Sequence, residues 1–303
     1  MLTSLLSLYI ASSLDLNLAD NLIANETIPK IQAKTASFSV STFNRSNFTP
    51  IKNPKYISPI IEAESSIAID LNTGKILYEK NKHQRLPMAS LTKLMTALII
   101  LEENNLEDFA TISSNSANTE GSTMHLRVGE EISIKNLLLG IIINSANDAA
   151  IALAEYNAGS TQAFVDKMNK RAGELGLINT NFANPTGFDD IDNYSSTYDI
   201  AKLGKFIYNN KFIQESAKLK TTEVYSKSGK YTHYLENTNE LLDSYLNVKG
   251  LKTGKTAKAG LCLSAIAEND KGNEILTVVL DSPARFTETK ILMDWVFKAY
   301  KWY

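Results

Sequence analysis

The feature that most constrains the fold is a change of hydrophobic period near residue 216. Before it, apolar residues recur mostly at helical spacing. After it, they alternate at every second residue, which is typical of strands. These later segments follow one another directly along the chain, and sequential strands favour antiparallel pairing because parallel neighbours need a long crossover connection. The sequence therefore predicts an α+β fold, a largely antiparallel sheet flanked by helices with a helical subdomain.

The elements can be given bounds. The segment SSIAIDLNTGKILYEK predicts two strands that close on a turn at residues 72–74. Helices are predicted over residues 90–103, 135–143, 147–157, 161–175, 196–208 and 287–300. Asn147 is a candidate N-cap of the helix over 147–157, and Ser195 or Ser196 is a candidate N-cap of the helix over 196–208. The later predicted strands are KLKTTEVYS, GKYTHYL, LNVKGLKTG, GLCLSAIAE and EILTVVLDS.

The first 60 residues have a different character. Residues 1–22 begin with MLTSLLSLYIASS, which suits the apolar core and cleavage zone of a secretory signal but lacks the usual basic start; an unstructured tail or a misplaced start codon is the alternative. Residues 23–60 are rich in Ser, Thr and Asn, which predicts a flexible linker. An ordered domain is expected over 61–303, in a protein that is extracytoplasmic, free or tethered by an uncleaved N-terminal segment.

Composition excludes several classes of protein. With 31 basic and 33 acidic residues the net charge is -2, so a nucleic-acid partner is not expected. No apolar run approaches the roughly 20 residues of a spanning helix, and no C-terminal membrane anchor is expected. The single cysteine, Cys262, alternates with leucines and is predicted to be packed. The three histidines lie far apart in sequence, so neither a metal site nor a cofactor is expected.

The segment MASLTKLMTALII carries the first chemical signal. Ser90 and Lys93 lie three positions apart and therefore share one face of a helix. The segment from Ser90 to Glu103 is apolar nearly all round, which predicts a buried helix whose first turn alone meets a ligand. Such an arrangement would set a nucleophile beside a base. On its own, this four-residue pattern favours a helix-capping serine and a solvated lysine.

Two further motifs raise the specificity of this signal. Ser145-Ala146-Asn147 stands at the junction of two predicted helices, and Lys252-Thr253-Gly254 lies within a predicted edge strand. Ser-x-x-Lys, a Ser-x-Asn triplet and Lys-Thr-Gly, in this order, form the signature set of penicillin-binding proteins and class A β-lactamases. The set is far more specific than any of its members.

Over about residues 62–302 the chain resembles the D-alanyl-D-alanine carboxypeptidases, the low-molecular-mass penicillin-binding proteins of the serine peptidase class. The resemblance implies a β-lactamase/transpeptidase-like fold and removal of the terminal D-alanine from peptidoglycan stem pentapeptides through an acyl-enzyme on Ser90, with β-lactams as covalent inhibitors. The segments that carry it, in the family's order, are LPMASLTKLMTALI, GIIINSANDAAIALAE, ELGLINTNFANPTGF, YSSTYDIAKLG and VKGLKTGKTAKAG.

The chemistry requires an activated serine. A lysine with its ordinary pKa of about 10.4 is no base near neutrality, but burial and a second cation both disfavour the ammonium form. Lys93, on an apolar helix and near Lys252, would meet both conditions. The resemblance also implies that Ser145 passes a proton to the leaving amine, and that Asn147 binds the Lys93 amine or the substrate amide.

The resemblance assigns substrate binding to the later motif. Lys252 and Thr253 would hold the terminal carboxylate, with Arg285 as a weaker candidate that is equally consistent with a solvated surface residue. The backbone N–H groups of Ser90 and Lys255 would form the oxyanion hole. Lys255 stands where several members of the family carry His or Thr, which should tune affinity. Glycine at 254 is expected to let the substrate lie against the strand.

Two rival functions remain at this point. A class A β-lactamase needs a glutamate in Glu-x-x-Leu-Asn, and the segment from Glu174 to Asn179 misses it by one residue because Ile178 stands where Asn is required. A non-catalytic sensor of β-lactams or peptidoglycan would keep the three motifs. It would usually need a signalling partner or a spanning segment, and neither is evident in the sequence.

Overall fold

The computed structural model describes residues 49–303. The predicted signal segment and the part of the predicted linker before residue 49 lie outside the described residues. The helices of the described part are α1 (Lys93–Glu103), α2 (Ser114–Ala117), α3 (Ile134–Ile143), α4 (Asn147–Ala158), α5 (Thr161–Glu174), α6 (Thr197–Tyr208), α7 (Lys211–Ser216) and α8 (Arg285–Ala299), with short 3-10 helices at Ala89–Thr92 and Glu240–Asp243. Its strands are β1 (Ile51–Lys52), β2 (Ser65–Asp70), β3 (Ile76–Lys80), β4 (Leu86–Pro87), β5 (Phe109–Thr111), β6 (Glu131–Ser133), β7 (Tyr194–Ser195), β8 (Thr221–Tyr225), β9 (Thr232–Glu236), β10 (Asn247–Thr256), β11 (Gly260–Glu268), β12 (Glu274–Ser282) and β13 (Tyr300–Lys301).

A five-stranded sheet organises the domain. Its strand order is β10-β11-β12-β2-β3, and every neighbouring pair is antiparallel, which confirms the predicted α+β class. The turn between β2 and β3 is held by Asp70, whose carboxylate accepts from the Thr73 amide at 2.7 Å. Strand β10, which carries the Lys-Thr-Gly motif, lies at an edge of this sheet, as the sequence predicted.

Each face of the sheet has its own hydrophobic core. Along β11, Cys262 and Ile266 join the core that also contains α1 and α4, whereas Leu263 and Ala265 join the core beneath α8. This alternation follows from the two-residue period of a strand. Cys262 is fully buried, as predicted, and this burial raises the pKa of its thiol to about 12.

Two predictions of organisation need correction. Strands β8 and β9 form a separate two-stranded sheet instead of joining the main one. They pack on the helical part of the domain, where Asn136 of α3 donates to the Tyr225 carbonyl at 3.0 Å. In addition, β1 pairs with β13, so ordered structure begins within the predicted linker and ahead of Ile60. No helix among residues 49–303 has the length and apolar character needed to span a membrane.

Candidate active site

A tight turn before the central helix positions Ser90. Residues Ala89–Thr92 form a 3-10 helix and α1 begins only at Lys93, so the predicted helix start at Ser90 was wrong by three residues. The spacing argument survives because residues i and i+3 also align in a 3-10 turn. The distance from Lys93 Nζ to Ser90 Oγ is 3.0 Å. Ala89, directly before the serine, has a left-handed backbone with φ 49°, the kind of strain that clusters at functional sites.

Lys93 is buried and surrounded by oxygen atoms. Its Nζ lies 2.7 Å from Asn147 Oδ1 and 2.6 Å from the Thr186 carbonyl oxygen. Both of these atoms can only accept hydrogen bonds. A neutral amine has two N–H groups and one lone pair, so two N–H groups directed at these oxygens leave the lone pair for the Ser90 hydroxyl. This is the arrangement of a base facing a nucleophile.

Electrostatics favour the neutral form of Lys93. Burial and, next, the positive charge of Lys252 hold the pKa of Lys93 well below its ordinary value, while Asp148 acts in the opposite direction. Burial and then the charge of Arg285 lower the pKa of Lys252 to about 7. Lys252 thus disfavours the protonation of Lys93, and the half-buried Arg285 disfavours that of Lys252.

The second motif lies at the start of α4. Asn147 was predicted as an N-cap, but the N-cap position belongs to Ala146 and makes no side-chain hydrogen bond. The Asn147 side chain instead connects Lys93 to the Glu120 carbonyl, to which its Nδ2 donates at 2.8 Å. Ser145 is buried with φ 58°. Among the described residues, no hydrogen bond joins its hydroxyl to Ser90 or to either lysine.

The third motif packs its glycine directly on the turn that carries Ser90. A Cβ atom added to Gly254 would lie 2.9 Å from Ala89 Cβ and 3.0 Å from Ser90 N. The glycine was expected to admit the substrate, and the structure gives a different reason: it admits the nucleophile's own backbone. Thr253 lies in the same strand, and its hydroxyl is 2.5 Å from that of Thr238.

Arg285 and Lys255 lie beside this strand. Arg285 is half-buried and donates from Nη1 to the Gly254 carbonyl at 2.7 Å, so it is not a solvated surface residue. Its guanidinium lies 4.6 Å from the ring centroid of Phe286. The exposed Lys255 and Arg285 both line a cavity of about 380 Å³. Glu240 also lines this cavity, so its lining carries two cationic side chains and one acidic one. The net positive charge next to the Lys-Thr-Gly strand is suited to a bound carboxylate.

One segment of the site, FANPTGF at residues 182–188, has a role that the sequence did not predict. The Thr186 carbonyl accepts from Lys93, and a Cβ added to Gly187 would lie 2.0 Å from the Ala89 carbonyl oxygen. Asn184 Oδ1 shapes the loop by accepting from the amides of residues 186–188. The Pro-Thr-Gly turn was the available signal, but a turn motif does not reveal which neighbour its carbonyl contacts.

Comparisons with known proteins point to one family. A model of the D-alanyl-D-alanine carboxypeptidase family matches residues 52–284. The chain is 38% identical over 257 residues to the D-alanyl-D-alanine carboxypeptidase DacF of Bacillus subtilis, a match that covers 79% of this chain and 63% of that protein. It therefore spans less than two thirds of the length of this relative.

Solved structures give the same result. The crystal structure of a Streptomyces DD-transpeptidase superposes with a TM-score of 0.74 at 32% identity, covering 80% of this chain and 99% of the other. Penicillin binding protein 5 of Haemophilus influenzae superposes with a TM-score of 0.74 at 34% identity, covering 80% and 72%. The chain therefore belongs to the D-alanyl-D-alanine carboxypeptidase family.

Proposed function

We propose that this protein is a serine D-Ala-D-Ala carboxypeptidase that removes the terminal D-alanine from peptidoglycan stem pentapeptides and is acylated by β-lactams. The observation that carries the proposal is the buried Lys93 amine, 3.0 Å from Ser90 Oγ, with both of its remaining contacts made to carbonyl oxygens. The catalytic domain would comprise residues 61–303 together with β1. The protein would act outside the cytoplasm, where peptidoglycan lies, and it would be either free or tethered by residues 1–22.

In the proposed reaction, Ser90 Oγ attacks the carbonyl carbon of the penultimate D-alanine while Lys93 takes the hydroxyl proton. The backbone N–H groups of Ser90 and Lys255 would stabilise the oxyanion; loss of one such donor commonly lowers the rate by about 100-fold or more. The C–N bond then breaks, and a proton passed through Ser145 leaves with the amine of D-alanine. Water finally hydrolyses the ester on Ser90.

The cationic groups would hold the free carboxylate of the substrate. Lys252, Thr253 and Arg285 lie on or beside β10, and Arg285 is fixed by its hydrogen bond to the Gly254 carbonyl. An anion bound there would also favour the charged form of Lys252, whose pKa is lowered to about 7 in the free protein. Asn147 would orient the substrate amide next to Lys93.

The β-lactamase alternative lacks its glutamate at the site. Glu174 lies at the exposed end of α5, where its carboxylate accepts from Arg171 Nη1 at 2.9 Å. None of the hydrogen bonds made by Lys93 within residues 49–303 goes to a carboxylate. A penicilloyl ester on Ser90 should therefore hydrolyse slowly.

Intact-mass spectrometry after a brief exposure to benzylpenicillin tests the proposal, combined with a time course of D-alanine release from a D-Ala-D-Ala peptide. A stable adduct on Ser90 and released D-alanine are expected, and both should be lost in Ser90→Ala and Lys93→Ala. An adduct without D-alanine release would favour a sensor, and rapid loss of the adduct with hydrolysed drug would favour a β-lactamase. No adduct at all would refute the proposed site.

A further inference from the structure

A buried histidine and a buried glutamate lie outside the proposed catalytic groups. His233 lies on β9 and Glu130 directly before β6, and their side chains are 4% and 0% exposed. His233 Nε2 is 2.6 Å from Glu130 Oε1, and His233 Nδ1 is 2.7 Å from the Met124 carbonyl oxygen. The ring therefore connects a carboxylate to a backbone carbonyl, and no step of the proposed reaction uses it.

These contacts determine how many protons the pair holds. A carbonyl oxygen can only accept, so the hydrogen bond to Met124 requires a proton on Nδ1. A neutral imidazole would then have a lone pair on Nε2, and an ionised carboxylate is also only an acceptor. Two acceptors 2.6 Å apart would repel each other, so a proton must lie between His233 Nε2 and Glu130 Oε1. With this proton the pair has no net charge in the interior, where an unpaired charge is costly.

The surroundings favour an imidazolium that faces a carboxylate. The second carboxylate oxygen of Glu130 accepts from the Arg127 amide at 3.1 Å, and such a bond is stronger when the acceptor is ionised. The Arg127 guanidinium is directed elsewhere, 5.5 Å from the centroid of the Tyr231 ring, and His233 is the ion-pair partner of Glu130. A buried pair of this kind adds little net stability, since desolvation of both charges offsets their attraction. Its effect is to hold the Met124 carbonyl with a charged donor.

The Met124 peptide is held from both sides. Its amide donates to the two carboxylate oxygens of Asp148 at 3.1 and 3.2 Å, and its carbonyl accepts from His233. The Leu126 amide donates to the same carboxylate at 3.0 Å. His125, between these two residues, has a left-handed backbone with φ 62°, which is uncommon for a residue with a side chain. Such a conformation persists where its surroundings fix it, and here two buried ionisable side chains do so.

The same segment holds the second motif of the active site. The Ser122 carbonyl accepts from the Asn147 amide at 2.7 Å, and the Glu120 carbonyl accepts from Asn147 Nδ2 at 2.8 Å. Asn147 Oδ1 in turn lies 2.7 Å from Lys93 Nζ. A continuous series of hydrogen bonds and neighbouring peptides therefore leads from the His233 ring to the proposed base.

We propose that His233 and Glu130 are positioning residues for acylation. Their shared proton fixes the Met124 peptide, and the segment that contains this peptide fixes the orientation of Asn147 beside the Lys93 amine. The inference rests on the proposed carboxypeptidase function and adds two residues to it. Because both residues act through the backbone, they should affect the rate of the chemical step more than the binding of substrate or drug.

The test compares Glu130→Gln with the double variant Glu130→Gln/His233→Leu. In the single variant the new amide can accept from the Arg127 amide and donate to His233 Nε2, so a neutral ring still donates to Met124 and acylation by benzylpenicillin should stay near the wild-type rate. The double variant removes this donor without leaving an unpaired charge in the interior. Its maximal acylation rate should fall by about tenfold. The drug concentration that gives half of the maximal rate should stay near the wild-type value, because binding is not impaired.

A conservative substitution provides the rescue. In Glu130→Gln/His233→Asn the side-chain amide can donate from about the position of the lost Nδ1, so this variant should recover most of the rate that the leucine variant loses. Glu131→Gln is the matched control, since Glu131 is exposed and paired with Lys227 at 2.9 Å. The acylation rate of this control should equal that of wild type.

The nitrogen chemical shifts of the His233 ring report the shared proton directly. At neutral pH they should show a proton on both ring nitrogens in wild type and on Nδ1 alone in Glu130→Gln. A wild-type ring with one protonated nitrogen would overturn the ion pair. Equal acylation by Glu130→Gln and Glu130→Gln/His233→Leu, or a folded His233→Asn variant without recovered rate, would overturn the positioning role. Wild-type protein that forms no adduct with benzylpenicillin would instead refute the proposed function itself.

Discussion

Lys93 shows how a fold can make a base from a residue that is ordinarily charged. Its side chain is fully buried, and the positive charge that lowers its pKa is that of Lys252, which is itself buried and has its pKa lowered in part by the charge of Arg285. Removing solvent disfavours the ammonium, and the neighbouring cations disfavour it further. The two carbonyl oxygens around Nζ hold the amine in place without supplying the opposite charge that would restore the ammonium.

A pH profile can test this electrostatic coupling. The rate of acylation by benzylpenicillin should rise with pH through the pKa of Lys93 and level off well below pH 10, because only the neutral amine accepts the Ser90 proton. The charge of Lys252 lowers the pKa of Lys93, so Lys252→Met should raise that pKa and move the rising limb to higher pH. Stopped-flow acylation across the pH range measures the pH at which the acylation rate rises. This pH, and not the maximal rate, is the quantity to compare.

Lys258→Met serves as the control, because Lys258 is exposed and its solvated charge should leave the limb in place. An unshifted limb in Lys252→Met would mean that burial alone neutralises Lys93. The height of the profile should fall separately, since Lys252 is also proposed to hold the carboxylate of the drug.

At the scale of elements, three short segments meet at Ser90. The turn Ala89–Thr92 is confined between Gly254 of β10 and Gly187 of the loop that follows α5. That loop is in turn fixed to α1, because Thr96 Oγ1 donates to the Pro185 carbonyl at 2.8 Å. The nucleophile is thus positioned by backbone contacts on both sides, and each contact requires a residue without a side chain.

Gly187→Ala should disable the site without unfolding the protein. The new Cβ would lie 2.0 Å from the Ala89 carbonyl oxygen, at a backbone φ of 89° that residues with side chains rarely adopt. The loop or the turn must move, and a misplacement of the nucleophile by about 1 Å can lower the rate by about 100-fold. Stopped-flow acylation measures the loss, and circular dichroism reports whether the fold is retained.

Gly173→Ala is the matched control for this substitution. Gly173 lies in α5 with no atom within 4 Å of an added Cβ, and alanine in a helix is more stable than glycine by about 0.5–1 kcal/mol. This variant should keep wild-type acylation and unfold at slightly higher denaturant concentration. Wild-type acylation in Gly187→Ala would show that the loop does not position Ser90.

The same elements show where sequence reasoning succeeds. The helices α3 to α6 and the main-sheet strands were predicted because each buries one face or one stripe, and this leaves a periodic pattern in the sequence. The proximity of Ser90 and Lys93 was predicted because it depends only on local spacing. Ser196 was rightly among the candidate caps of α6, since its side chain accepts from the Asp199 amide.

Contacts between distant segments left no such pattern. Strands β8 and β9 have the same alternation as the main-sheet strands, so periodicity could not show that they pair apart from them. Asn147 has a residue type and position typical of a cap, but the buried Lys93 amine 2.7 Å away binds its oxygen instead. The contact of Gly254 with Ser90 likewise joins residues far apart in the chain. Such errors fall at the site because tertiary contacts there override local preference.

At the scale of the whole molecule, the two buried lysines of the active site lower the stability of the folded domain. Both lysines are buried between the sheet and the helical part, and the unfolded chain would keep each of them solvated and charged. Placing such groups in the interior costs free energy unless they become neutral. We therefore expect the domain to be more stable when the solution itself favours neutral amines.

Global stability should consequently rise with pH between about 7 and 9.5. The pKa of Lys252 is about 7 in the folded protein and near its ordinary 10.5 in the unfolded chain, so in this window the unfolded state binds more protons. Each such group raises the free energy of unfolding by about 1.4 kcal/mol per pH unit. The Lys252→Met variant should show a weaker dependence of the free energy of unfolding on pH, and it should be more stable than wild type at pH 7. Urea unfolding at several pH values measures the slope.

The upper limit of that window is set by tyrosines. Burial raises the pKa of Tyr208 above its ordinary value of 10, so its contribution to stability is lost only as pH rises beyond that value. Lys258→Met should retain the wild-type slope, because the Lys258 side chain is exposed and is not taken out of water on folding. A wild-type stability that is flat or falls between pH 7 and 9.5, or an unchanged slope in Lys252→Met, would mean that Lys252 keeps its proton in the folded protein. Its charge would then have to be balanced by bound anions or water.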